Sequence, residues 1–83
     1  MYDHRLAYRH HDGTVEGFKG SGPTRESAKE DATVQIIKKL IIINREGRPA
    51  GTFAPDRVIV GERGLTKDEL VTVRRDWASK VRY

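Results

Sequence analysis

"GSGPTRESAKEDATVQIIKKL", residues 20–40, carries the change of period that decides the fold. Its opening glycines and proline, residues 20–23, are expected to lie outside any regular element and to end the alternating strand before them. From Thr24 onward Ala28, Ala32, Ile36 and Leu40 recur at helical spacing, with Thr33, Ile37 and Ile41 beside them and Lys and Glu opposite. A period of two places successive side chains on opposite faces of a sheet, and a period of 3.6 gathers them on one side of a helix. A strand therefore hands over to a helix here, expected over about 24–41. Thr24 is its N-cap, Glu26 lies in the first turn where the helix dipole favours acid, and Lys38 and Lys39 approach the other end. The β-branched run at 41–43 also reads as a strand leaving the helix, since Asn44 and Gly47 end it soon after.

Upstream, Tyr2, His4, Leu6, Tyr8 and His10 alternate with Asp3, Arg5, Ala7 and Arg9, and Asp12-Gly13 suits the positive φ angles of a two-residue turn. The pattern predicts an antiparallel hairpin over 2–20, with strands at 2–11 and 14–20. A two-residue turn pairs His11 with Thr14, His10 with Val15, Arg9 with Glu16 and Ala7 with Phe18. The Arg9–Glu16 pair then contributes from a few tenths to about 1 kcal/mol. Tyr8 and Phe18 fall on opposite faces in this register, one buried and one exposed for stacking or for a partner.

Downstream, "NREGRPAGTFAP" at 44–55 holds two Gly and two Pro and reads as a mobile or binding loop. "DRVIVGE" follows as a strand at about 56–62. Thr66 and Glu69 form a capping box that opens a last helix at about 66–82. Leu70, Val73, Trp77 and Val81 make its apolar stripe, decorated by Arg74, Arg75, Lys80 and Arg82. Trp77 is either a core residue of that stripe or a base-stacking surface. The whole chain, 1–83, reads as one α+β domain, a small antiparallel sheet with helices packed on it in the order ββαβα.

Hydrophobic residues make up 36% of 83 residues and charged ones 34%, enough for one modest core that dimerisation would enlarge. The absence of cysteine excludes disulfides, thiolate zinc sites and cysteine nucleophiles, in keeping with a reducing cytoplasm. The longest apolar run, "LIII" at 40–43, is far too short for a bilayer, and the N-terminus has no apolar signal segment, so a cytoplasmic location without membrane contact is expected. His4 and His10 share a strand face but lie roughly 20 Å apart at strand rise, too far to ligate one ion, so no metal is expected. No nucleophile elbow or paired carboxylate frames Ser21, Ser27 or Ser79 with a histidine and Asp3, Asp12 or Asp56, so neither catalysis nor a cofactor is expected.

A net charge of +4 favours polyanions, but sixteen basic residues are interspersed with twelve acidic ones, so only folding can gather a binding face. The best-placed site is a glycine turn, Gly20 and Gly22, leading to a helix N-terminus at Thr24 with Arg25 and Lys29 one turn apart. Unpaired N–H groups and a partial positive charge there suit a phosphate oxygen, and backbone contacts of this kind position a protein without reading sequence. The alternative is a tight turn followed by a solvated helix face. The spacing of a P-loop is absent, so nucleotide hydrolysis is unsupported. His10 and His11 at the hairpin tip are second-rank phosphate contacts that protonation would strengthen at mildly acidic pH. Arg45, Arg48 and Arg57 offer a further strip, and Arg74, Arg75 and Arg82 a flank.

Residues 20–40 resemble the C-terminal strand–turn–helix of a double-stranded RNA-binding domain, in which a strand ends in a G-x-G turn and a basic helix follows. The resemblance implies phosphate contacts across a groove from the helix start, with Thr24 at the Ser/Thr position, Arg25 and Lys29 at lysine positions, and Ala28 and Ala32 packing inward. Glu26 stands where that family has a second lysine and Asp31 where it has an alanine. "GFKGSGPTRESA" at 17–28 is more loosely similar to the arm-binding domains of tyrosine integrases and to HicB-type antitoxins. The function expected is non-enzymatic binding of nucleic acid, double-stranded RNA or DNA. The alternative is a protein-interaction module, such as a phage-type inhibitor of a host protein or an antitoxin-like regulator, forming a homodimer through an edge strand.

Overall fold

A computed structural model describes residues 1–79. In chain order these form β1 (Tyr2–Arg9), β2 (Val15–Gly22), α1 (Arg25–Arg45), a single 3-10 turn (Pro55–Arg57), β3 (Val58–Val60) and α2 (Lys67–Ser79). The α+β class and the ββαβα order are those the periodicities predict. The three strands make one antiparallel sheet in the order β2-β1-β3, with β1 at its centre. Val81, Lys80 and Arg82, read as the end of the last helix, lie outside the described residues.

The hairpin turns by three residues instead of two. The His10 carbonyl accepts from Gly13 N–H at 3.0 Å, and His10 N–H donates to the Thr14 carbonyl at 2.8 Å. Gly13 is left at φ +88, the left-handed residue that closes a type I turn into a bulge. Asp12 favours this turn because its carboxylate accepts from both Thr14 N–H (3.0 Å) and Thr14 Oγ1–H (2.6 Å). The register is therefore one residue from the expected one: Arg9 opposes Val15, Tyr8 opposes Glu16 and Leu6 opposes Phe18. A slip of one residue moves a whole strand's side chains to the other face. Tyr8 and Phe18 accordingly lie on the same face, both buried, and Arg9 pairs with Glu69 of α2 at 2.7 Å instead of with Glu16.

The corrected register sorts the side chains into two cores. Leu6, Tyr8 and Phe18 meet Ala32, Ile36 and Leu40 of α1 on one face, while Ala7 and Val15 meet Val73 and Trp77 of α2 on the other. The two helices thus cover opposite faces of a three-stranded sheet. Each large side chain buried this way contributes about 1.5–3 kcal/mol. On the α2 face Trp77 Nε1–H donates to the Leu6 carbonyl at 2.9 Å, which assigns the tryptophan to the core. Gly17 makes room for it, since a Cβ there would lie 3.1 Å from the indole and 2.7 Å from the Val73 carbonyl oxygen.

α1 runs one turn beyond the expected end, through the isoleucines to Arg45. It stops because Gly47, at φ +84, donates to the Asn44 carbonyl while Arg48 N–H reaches the Ile43 carbonyl, a Schellman closure. The following loop is tied down: the Asn44 side chain accepts from Ala50 N–H and donates to the Gly51 carbonyl, both at 3.1 Å. Further along, Phe53 stacks on Tyr8, whose hydroxyl accepts from Ala54 N–H at 3.0 Å. α2 opens with the expected capping box, Thr66 Oγ1 accepting from Glu69 N–H and the Glu69 carboxylate from Thr66 N–H.

Candidate nucleic-acid interface

The candidate contacts singled out in the sequence do not converge. α1 runs back along β2, so its first turn lies beside Tyr2 and Gly22 and its last beside the hairpin tip; 21 residues of helix hold these ends roughly 30 Å apart. Arg25 and Lys29 stand at one end, and His10, His11, Arg45 and Arg48 at the other.

At the first end, Gly20 and Gly22 are strand residues of β2, not a phosphate-binding turn. Both are buried under α1: a Cβ on Gly20 would lie 2.1 Å from the Ala28 carbonyl oxygen, and one on Gly22 would lie 2.3 Å from Ser27 Oγ. Their missing side chains let the helix lie on the sheet. Thr24 is likewise spent on the fold, since its Oγ1 accepts from Ser27 N–H and its own N–H donates to Ser27 Oγ, each at 3.0 Å. Arg25 and Lys29 remain exposed, on an open groove of about 580 Å³ that they share with Tyr2, Asp3, His4 and Glu26. The Arg25 guanidinium carbon lies 5.7 Å from the centre of the Tyr2 ring. Neither cation forms an ion pair with a carboxylate among the described residues, and the N–H groups of Arg25 and Glu26 have no acceptor there. His4 Nε2 is buried without a partner. Asp3 is held by Lys19 at 3.4 Å.

At the second end a cleft of about 670 Å³ opens between the hairpin tip and the loop after α1. His10 is buried there, its Nε2 3.0 Å from Glu16 Oε1, and Lys39 approaches the other oxygen of that carboxylate at 3.9 Å. Arg48 is paired with Glu46. The Asp12 carboxyl is held below its ordinary value of 3.8, first by the Thr14 hydroxyl and then by the Thr14 N–H. This end is therefore electrically balanced, with most of its cations already matched. Lys39 and Glu16 escape notice in the sequence because only the true register brings Glu16 to the α1 face.

The remaining arginines are dispersed. Arg57 donates to the Arg9 and His10 carbonyls at 3.2 and 3.3 Å, bracing the end of β1 instead of extending a basic strip. Arg74 makes two 2.8 Å hydrogen bonds to Glu62, and with Arg75 it belongs to α2, across the sheet from α1, so neither flanks Arg25. Arg82 lies outside the described residues. No group of His, Asp and Glu among the described residues is arranged to hold a metal ion, and no helix there is long and apolar enough to cross a membrane. Comparison with protein-family models, curated proteins and solved structures finds no match to this chain.

Proposed function

We propose that the protein binds nucleic acid, favouring a duplex, through phosphates at the start of α1. Arg25 and Lys29 are the contacts, and the free N–H groups of the first turn assist. One observation carries the reading: these two exposed cations share one open groove and neither is in an ion pair among the described residues, though Asp3 and Glu26 also line it, whereas Arg9, Lys19, Lys39, Arg48 and Arg74 are all paired. A cation free to neutralise a phosphate releases the counterions condensed on the nucleic acid, whereas one held in an ion pair must first give up its carboxylate. Tyr2 beneath Arg25 holds the guanidinium at the groove and offers a flat ring to a base or sugar. Contacts of this kind fix orientation and carry no sequence preference. The likeness of residues 20–40 to a double-stranded RNA-binding helix supports a duplex, RNA or DNA, as the ligand.

The test is fluorescence anisotropy with labelled duplex RNA, duplex DNA and single strands at about 50 and 200 mM salt. The expected dissociation constant is on the order of 10⁻⁴ to 10⁻⁶ M, weakening with salt. R25E/K29E should weaken binding by at least about tenfold with unchanged circular dichroism, and R45E/R48E should change it far less. Absence of binding at low salt, or full binding by R25E/K29E, would overturn the proposal. A protein partner is the second reading, favoured by the apolar side chains that α1 leaves in solvent.

A further inference from the structure

The outer face of α1 carries an apolar stripe. Ala28, Ala32, Ile36 and Leu40 are buried against the sheet, yet Val34, Ile37, Ile41 and Ile42 are 44%, 38%, 47% and 50% exposed. Val34, Ile37 and Ile41 follow one another at the three- and four-residue steps of a helix–helix seam. We infer that this seam is where a second copy of the chain docks, α1 packing antiparallel on its twin across a two-fold axis between Ile37 and Lys38.

Self-complementary charge selects that occupant. With the axis between Ile37 and Lys38, residue i faces the partner residue whose number completes the sum, so Val34 meets Ile41 and Glu30 meets Arg45. Both pairs recur by symmetry, as an isologous contact requires. Glu30 and Arg45 are exposed and neither forms an ion pair among the described residues, so both are available. Lys38 falls beside the axis next to its own symmetry mate, so the two like charges offset part of what the Glu30–Arg45 pairs contribute; its long stem lies along apolar surface and its ammonium reaches the rim.

The other route to a dimer is partly blocked. β2 is the long edge of the sheet, and three of its outward polar groups are already taken: Gly17 N–H by the Asp76 carboxylate at 2.9 Å, the Lys19 carbonyl by Gln35 Nε2–H at 2.8 Å, and Ser21 N–H by the Asp31 carboxylate at 3.0 Å. The opposite edge, β3, is only three residues long. Strand addition, the alternative offered by the sequence, finds an interrupted ladder on β2, and α1 offers the larger apolar surface for association.

The inference stands apart from nucleic-acid binding and is tested without it, by sedimentation velocity of the full chain from about 5 to 200 µM. A concentration-dependent dimer is expected. V34E/I41E, which sets glutamate against glutamate at exposed positions, should weaken it at least about tenfold with unchanged circular dichroism. E30R should weaken it several-fold by facing Arg45, and E30R/R45E should restore it. The charge pair decides the matter even if V34E/I41E fails to fold. A wild-type monomer throughout that range, or a dimer indifferent to E30R, would overturn the inference.

Discussion

Gly20 shows how much a single absent methyl group can decide. A Cβ there would lie 2.1 Å from one backbone atom of α1 and 2.4 Å from another, and backbone cannot rotate aside as a flexible side chain can. G20A should therefore lift the helix from β2 and cost about 3 kcal/mol or more, the upper end of overpacking effects. Thermal denaturation should show Tm falling by more than about 10 °C, and an unchanged Tm would contradict the packing assigned to this glycine. The same residue marks the limit of local reading. In sequence, glycines before a basic helix start suit a phosphate as well as they suit a close helix, and only the tertiary approach of Ala28 and Ala32 separates the two. Asp12-Gly13 is similar: it signals a hairpin, but it serves two-residue and three-residue loops alike. What decides between them is the Asp12 side chain bonding to Thr14 and the joint burial of Tyr8 and Phe18, the second of which is a long-range fact.

At the scale of the elements, the α1 period, its Thr24 cap and the Thr66–Glu69 box were legible because each depends on residues within a few positions. Which isoleucines of α1 would be covered was not, since Ile36 and Ile37 differ only in the direction of a sheet that the helix itself does not encode. The edge of β2 yields a prediction at this scale. Asp31 and Asp76, one from each helix, cap two of its outward N–H groups, so D31A/D76A should uncover more of a strand edge and raise light scattering at concentrations where the wild type stays clear. Equal scattering would show that the caps do not guard the edge. The α2 cap yields another. The Glu69 carboxyl is held below its ordinary value of 4.5, first by Thr66 N–H and then by Arg9, and Glu62 is held down by Arg74. A carboxylate whose value is depressed by folding adds stability in full above its ordinary value and loses it as the pH falls through the folded one. Tm should stay level from neutral pH to about 5 and fall below that, less steeply in E69Q. An equal slope in E69Q would remove Glu69 from the account.

For the whole molecule, the sheet separates two helices with different tasks. α2 seals one face with Trp77 and Val73, while α1 covers the other and leaves three features outward: two unmatched cations at its start, an apolar seam along its middle, and an open, charge-balanced cleft at its end. The two proposals rest on different observations and are tested separately. The most direct test of the central claim is a titration of ¹⁵N-labelled protein with a short RNA duplex, followed by amide chemical shifts. Shifts should concentrate at Tyr2, Arg25, Glu26 and Lys29 and shrink with added salt. A spectrum that does not move, or one that moves only at the hairpin tip and the loop after α1, would contradict the phosphate site at the start of α1.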